Sequence, residues 1–355
     1  MPIRLPTRPA ARAVGGRRLL IRTLVVVGLA VFALFARHVF VPAMRSLRHP
    51  HWEWLPVALA AEAVSMAAFM RMQRRTMMQG GVVIPLRSAI AITYAGDAMY
   101  LTVPLAGTAS STAFTARQYT HHGADPALIT WVLGVTGVFS TAAFAMAVGV
   151  AGILSGGGYS AITGAVVTVA SIVPVVLLFV LSRHATTRAM LTRLLERLLR
   201  RLQRLFKRPR GDPAEVAAAG VLRFVHLQLN GRAGVLILCS ALINWLADGL
   251  CLVAAIQFVG EPVPWHSLWI VYSAGVGASA IGITPAGIGV VETAIAATMV
   301  AVGMQSERAL SAALLYRAIN CWLIMTIGWL VYLSMRREPM APAAASEPHD
   351  IIQQA

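Results

Sequence analysis

Four carboxylates and one arginine stand inside long apolar runs: Glu62, Asp97, Asp248, Glu292 and Arg317. A charged side chain at bilayer depth costs at least about 2.5–3.5 kcal/mol, so each such residue needs a partner or a task. Glu292 is the leading candidate. It closes the stretch Thr284-Pro285-Ala286-Gly287-Ile288-Gly289-Val290-Val291-Glu292. Its chemistry is that of a proton or cation coupling site, or of a contact for a lipid amine. The structural alternative is an ion pair with Arg317. Arg317 carries a planar fork of five donors that suits a phosphate, and the same pair is its alternative. Glu62, Asp97 and Asp248 form a second set of intramembrane acids, open to pairing or to function.

The backbone around these groups is as unusual as the side chains. A proline in a helix interior costs about 3 kcal/mol and leaves a carbonyl without its donor. Within lipid such a break is tolerated only where protein or a water-lined cavity encloses it. Thr284, Pro285, Gly287 and Gly289 make one break. Pro104 and Gly107 make another, followed by the hydroxyls of Thr108, Ser110, Ser111 and Thr112 and then by Arg117. Glycines allow close backbone approach, and broken helices present free N–H and C=O groups to a polar head group. Aligning the chain on Pro104 and Pro285 places Ser111 opposite Glu292. One half thus offers hydroxyls and the other a carboxylate. Arg117 is either a pathway residue or an interfacial anchor whose stem lies in apolar surroundings.

Other chemistries find little support. Cys239, Cys251 and Cys321 lie in apolar segments without paired ligand spacing, so neither a metal nor another cofactor is expected. His121 and His122 adjoin a glycine in a loop and do not make a metal site. Gly275, Gly277 and Ser279 lack the third glycine of a dinucleotide motif and fit close helix packing better. There is no phosphate-binding glycine loop and no serine-nucleophile elbow. Glu53 and Glu261 are the only obvious acids in outer loops, so no enzyme activity is expected.

The elements that must position these groups follow from composition. The 355 residues are 57% hydrophobic and 12% charged, with a mean hydropathy of +0.70. Several apolar runs reach spanning length, which predicts an all-α polytopic membrane protein. The net charge of +16 is nearly all arginine, with Lys207 the lone lysine. The arginines border apolar segments, so they mark topology and anionic lipid rather than nucleic acid.

Residues 1–18 read as a disordered basic tail, 19–182 as a first membrane half, and 183–232 as a cytoplasmic amphipathic linker. Residues 233–335 read as a second membrane half and 336–355 as a disordered tail. Within 183–210 leucines repeat at helical spacing beneath arginines, which predicts a helix lying on an anionic leaflet. The clusters at the N-terminus, at Arg71–Arg75, at 183–210 and at Arg336–Arg337 mark the inside, so both termini are expected in the cytoplasm. The stretch around Pro104 then begins and ends inside, and the one around Pro285 begins and ends outside. Each half reads span, broken or re-entrant hairpin, span. The halves form an inverted-topology repeat of about six full spans.

The stretch Thr284–Glu292, with Leu314, Leu315, Tyr316 and Arg317 in the last span, resembles the lysylphosphatidylglycerol synthase transmembrane family. This is the flippase-like half of the bacterial multiple peptide resistance factor. Pro104 to Gly107 with Arg117 downstream is a weaker match, and the resemblance covers most of residues 19–335. Many members of the family carry Gly-Glu after the first proline, where this chain has Gly107-Thr108. The resemblance implies a bacterial plasma-membrane protein that moves lipid between leaflets: a phospholipid, an aminoacylated lipid or a polyprenyl-linked lipid. A separate synthase or a second copy of the chain are the partners it suggests. Two alternatives share the architecture, an ion-coupled transporter of small anionic solutes and a non-catalytic partner of a lipid-modifying enzyme.

Overall fold

Residues 50–154, 158–183, 231–282 and 284–335 are described by a computed structural model. The span expected over 19–40, the amphipathic helix beyond Arg183 and the two tails lie outside the described residues. Where no water can pair with a backbone amide, helices are the economical solution, and among the described residues there is no strand.

The helices are α1 (Trp54–Gln79), α2 (Leu86–Thr102), α3 (Gly107–His121), α4 (Pro126–Leu154) and α5 (Gly158–Arg183). After the undescribed linker come α6 (Gly231–Phe258), α7 (Leu268–Ile281), α8 (Val290–Ala301), α9 (Ser306–Arg317) and α10 (Ile324–Met335). A 3₁₀ turn, Pro285–Gly287, stands between α7 and α8, and a π-helical turn, Ala318–Leu323, joins α9 to α10. By length and composition, Trp54–Gln79, Pro126–Leu154, Gly231–Phe258 and the continuous run Ser306–Met335 can each cross a membrane. At 1.5 Å per residue, the 26 residues of α1 reach about 39 Å, enough for a hydrocarbon core of about 30 Å. The 17 residues of α2 and the 14 of α7 reach only about 26 and 21 Å. The chain therefore has broken hairpins where prolines and glycines predict them.

Among the described helices the most extensive packing is between α1 and α6. The two run antiparallel, as three contacts along their length show. His51 N donates to Phe258 O at 3.0 Å beside an edge-on Trp52–Phe258 contact. Mid-helix, Asn244 Nδ2 donates to Ser65 Oγ at 2.8 Å. At the far end, Arg75 Nη1 donates to Ser240 Oγ at 3.0 Å and to Leu236 O at 3.1 Å. Between helices in lipid, polar contacts and small residues replace the hydrophobic effect as the source of specificity. The same holds for α10 against α2. A Cβ on Gly328 would stand 2.1 Å from Tyr94 O, and Trp329 Nε1 donates to Thr102 Oγ1 at 2.8 Å.

These contacts fix where the hairpins enter. Leu128, at the start of α4, packs on Gly80 at the end of α1. The hairpin α2–α3 therefore begins and ends at the same end of the bundle. At the opposite end, Arg308 at the start of α9 pairs with Glu261 after α6, with Nη1 to Oε1 at 2.9 Å. The hairpin α7–α8 begins and ends there. The two hairpins thus enter from opposite ends.

Candidate functional site

Both breaks are built alike. Val103 and Thr284, each preceding a proline, are extended (φ −97° and −105°), as the proline ring demands of its predecessor. The residue after each proline is left-handed without being glycine: Leu105 at φ 57° and Ala286 at φ 54°. An L-residue in that region costs roughly 1–2 kcal/mol, and it occurs here twice at the same place in the motif. The breaks also touch. Leu105 N donates to Gly282 O at 3.0 Å, so each break supplies a backbone partner that the other lost.

The second break is a clamp for Arg317. Thr284 Oγ1 donates to Ile288 O at 3.0 Å and closes the turn. Gly287 (φ 68°) has no room for a side chain, since a Cβ would stand 2.5 Å from Val291 Cγ2. Gly289 (φ 85°) caps α8, and its N–H donates to Glu292 Oε2 at 2.7 Å. This is the returning half of a capping box; a glycine has no side chain to supply the other half. Glu292 Oε1 accepts from Arg317 Nε at 3.1 Å, with the two side chains only 6% and 5% exposed. Arg317 Nη2 donates to Ala286 O, the carbonyl that the left-handed residue turns inward. Nη1 stands 3.5 Å from Asn320 Oδ1. The ion pair is thus formed, and the donors that suit a phosphate are held within the protein.

A second polar cluster adjoins the first through Asn320. Its Nδ2 donates to Asp248 Oδ1 at 2.7 Å. Asp248 also accepts from Tyr272 Oη at 2.5 Å and from Tyr316 Oη at 3.1 Å. The Glu62 carboxyl faces Asp248 and Asn320. Asp97 stands in electrostatic range of Glu62 from α2. Tyr272, Tyr316 and Asn320 are members of the site that sequence reasoning misses. A buried tyrosine hydroxyl requires a partner, and Asn320 lies one turn beyond Arg317, so both signals are present in the residue types.

The first hairpin uses its polar groups locally. Ser110 Oγ donates to Gly107 O at 2.9 Å. Ser111 Oγ and Thr115 Oγ1 lie over Gly96, 3.4 and 3.2 Å from where its Cβ would be. Gly107 is required by contact, since a Cβ there would stand 2.1 Å from Tyr100 O. Pro104 and Arg117 are exposed. The structure brings Glu292, Arg317, Asp248 and Glu62 into one network and leaves Ser110, Ser111 and Arg117 on the first hairpin.

An apolar cavity of about 530 Å³ lies between α4, α6 and α7, lined by Met146, Ala147, Val150, Leu242 and Leu246, with Trp265, His266 and Trp269 beside them. It is not lined by Glu292 or Arg317. Its connection to the network is the edge-on contact of Trp269 with Tyr272, at 5.4 Å between ring centroids. Among the described residues no group of His, Cys, Asp and Glu could hold a metal ion.

The spans, the paired hairpins and the buried polar network define an all-α, multi-pass membrane protein. The sequence model of the lysylphosphatidylglycerol synthase TM region matches residues 19–328, and the chain belongs to that family. A search of curated proteins found no match.

Proposed function

We propose that the protein moves a lipid with a polar head group between leaflets, as a transporter and not as an enzyme. The observation that carries this reading is the meeting of the two breaks, Leu105 N on Gly282 O, the second of which also holds the buried Arg317. A head group that parts the breaks finds there a free N–H and a free C=O, and a guanidinium once Arg317 gives up the Ala286 carbonyl; the N–H and the guanidinium can then bind phosphate or ester oxygens, and the C=O can accept from a head-group donor. Family membership supports a lipid-related task in a membrane.

The cavity favours lipid over a small anionic solute. Its walls are almost entirely apolar, and Val150, Leu154, Leu246 and Trp265 are exposed on the outside of the chain. They suit an acyl chain and offer little to a hydrated ion. In this reading the two halves are an inverted-topology repeat, and the antiparallel α1–α6 pair and the opposed hairpins support it. The protein resides in the bacterial plasma membrane with both termini cytoplasmic, on the side of Arg71, Arg74 and Arg75. The lipid is a phospholipid, an aminoacylated lipid or a polyprenyl-linked lipid. A separate synthase, a second copy and an anionic leaflet bound through 183–210 are its proposed partners.

Purified protein in vesicles carrying a fluorescent phospholipid tests the proposal. Wild type should expose inner-leaflet probe to an impermeant quencher well above the empty-vesicle rate. Arg317→Lys keeps the charge but loses the fork, and should slow the movement about tenfold or more. Movement no faster than in empty vesicles, across the three lipid classes, would refute the proposal.

A further inference from the structure

Glu292 and Arg317 neutralise each other, whereas among the described residues the acids of the second cluster have no such partner. The register of α1 on α6 explains why they meet. Ser65 is clasped by Asn244. In an antiparallel pair, one turn back from Ser65 and one turn on from Asn244 brings Glu62 against Asp248. Asp248 is surrounded by donors: Asn320 Nδ2, Tyr272 Oη and Tyr316 Oη all point at its oxygens. That is the environment of an ionised acceptor. Glu62 is 4% exposed, and its Oε2 has no hydrogen-bond partner among the described residues. A buried carboxylate with one oxygen left unpaired, in contact with a second carboxylate, is strongly disfavoured. A carboxylic acid there can donate to its neighbour instead.

We propose that Glu62 and Asp248 form a proton-binding site in which the pair holds one proton, carried on Glu62 and donated toward Asp248. On release, the Glu62 O–H bond breaks, the proton leaves to water, and the pair is left with two negative charges. The same pair retakes the proton in the reverse step. A proton fits better than a metal cation because three protein donors already crowd Asp248's oxygens, which leaves room for one further hydrogen bond but not for a coordinated ion.

The other groups around Glu62 are consistent with this role. Tyr94 and Asp97 face it from α2, Cys251 from α6, Tyr272 from α7 and Tyr316 from α9. Cys321 of the π-helical turn also lies in range, and α4 has no titratable side chain. None of these is a cation. Among the described residues the cation linked to the pair is Arg317, reached through Asn320. Release of the proton therefore draws Arg317 away from Glu292 and from the Ala286 carbonyl, toward the new charge. The link from proton to lipid rests on the function proposed above; proton binding itself does not.

Infrared difference spectroscopy on the purified full chain, titrated with pH, reads the proton directly. A protonated-carboxyl C=O band should appear in wild type, vanish in Glu62→Gln and shift in Asp248→Asn. A band unchanged in Glu62→Gln would overturn the site, and so would its absence from wild-type protein shown to be folded by circular dichroism. Lipid movement in the same vesicles separates the two claims. If the Glu62 band is present and no lipid moves, the proton site stands and the lipid function falls. If lipid moves at a rate independent of pH in both wild type and Glu62→Gln, with no Glu62 band, the proton site falls and the lipid function stands.

Discussion

Arg317 is held by three different groups, and the consequences of removing any one are unequal. Loss of one partner from a buried ion pair leaves an uncompensated charge, which costs about 3–5 kcal/mol, whereas replacing both partners with apolar residues is often much milder. Arg317→Ala and Glu292→Ala should each lower the unfolding temperature of the detergent-purified protein strongly. The double variant Glu292→Leu/Arg317→Met should regain most of that loss while still failing to move lipid. Equal losses for the double and single variants would show that the pair is not an energetic unit. The strained backbone serves the same cation. Ala286 adopts φ 54°, and its carbonyl is thereby aimed at the guanidinium; the strain is offset by a charge-assisted hydrogen bond.

Helix approach is decided at glycines, but only at some of them. Gly328 of α10 lies against the Tyr94 carbonyl of α2, where a Cβ would be 2.1 Å away, while Gly277 of α7 has nothing within 4 Å of its Cβ position. Gly328→Ala should therefore destabilise by roughly 1–3 kcal/mol through forced displacement of backbone. Gly277→Ala should be neutral or stabilising by up to about 1 kcal/mol through helix propensity. Thermal unfolding of the two variants side by side checks this.

The same contrast shows what is legible in the sequence. Both breaks can be placed because proline and glycine are costly inside an apolar helix and so mark where it stops. The pairing of Glu292 with Arg317 is open to sequence reasoning because a buried charge needs a partner. Asp248's donors are legible only in part: a buried tyrosine hydroxyl announces that Tyr272 and Tyr316 need partners, but not that the partner is Asp248. The alignment that sets Ser111 opposite Glu292 identifies equivalent positions, not contacts. The hydroxyl of Ser111 lies over Gly96 within its own hairpin.

At the scale of the molecule, two hairpins enter from opposite ends and join tip to tip between spans that run antiparallel. Met78, at the end of α1, and Val302, after α8, are exposed and belong to opposite ends. Met78→Cys and Val302→Cys should therefore label with an impermeant thiol reagent from opposite sides of the membrane, Met78→Cys from the cytoplasm. Labelling of both from one side would invalidate the arrangement. The opposed hairpins matter because a polar head group crossing hydrocarbon needs hydrogen-bonding partners along the way, and the breaks hold such partners where the two tips meet. The most direct measurement is lipid movement in vesicles with the breaks tied together, through Leu105→Cys and Ile281→Cys bridged by a short reducible thiol reagent. Movement should fall to the empty-vesicle rate while the bridge is intact and recover to the unbridged rate on reduction. Bridged protein that moves lipid as fast as unbridged protein would contradict a pathway through the joined breaks.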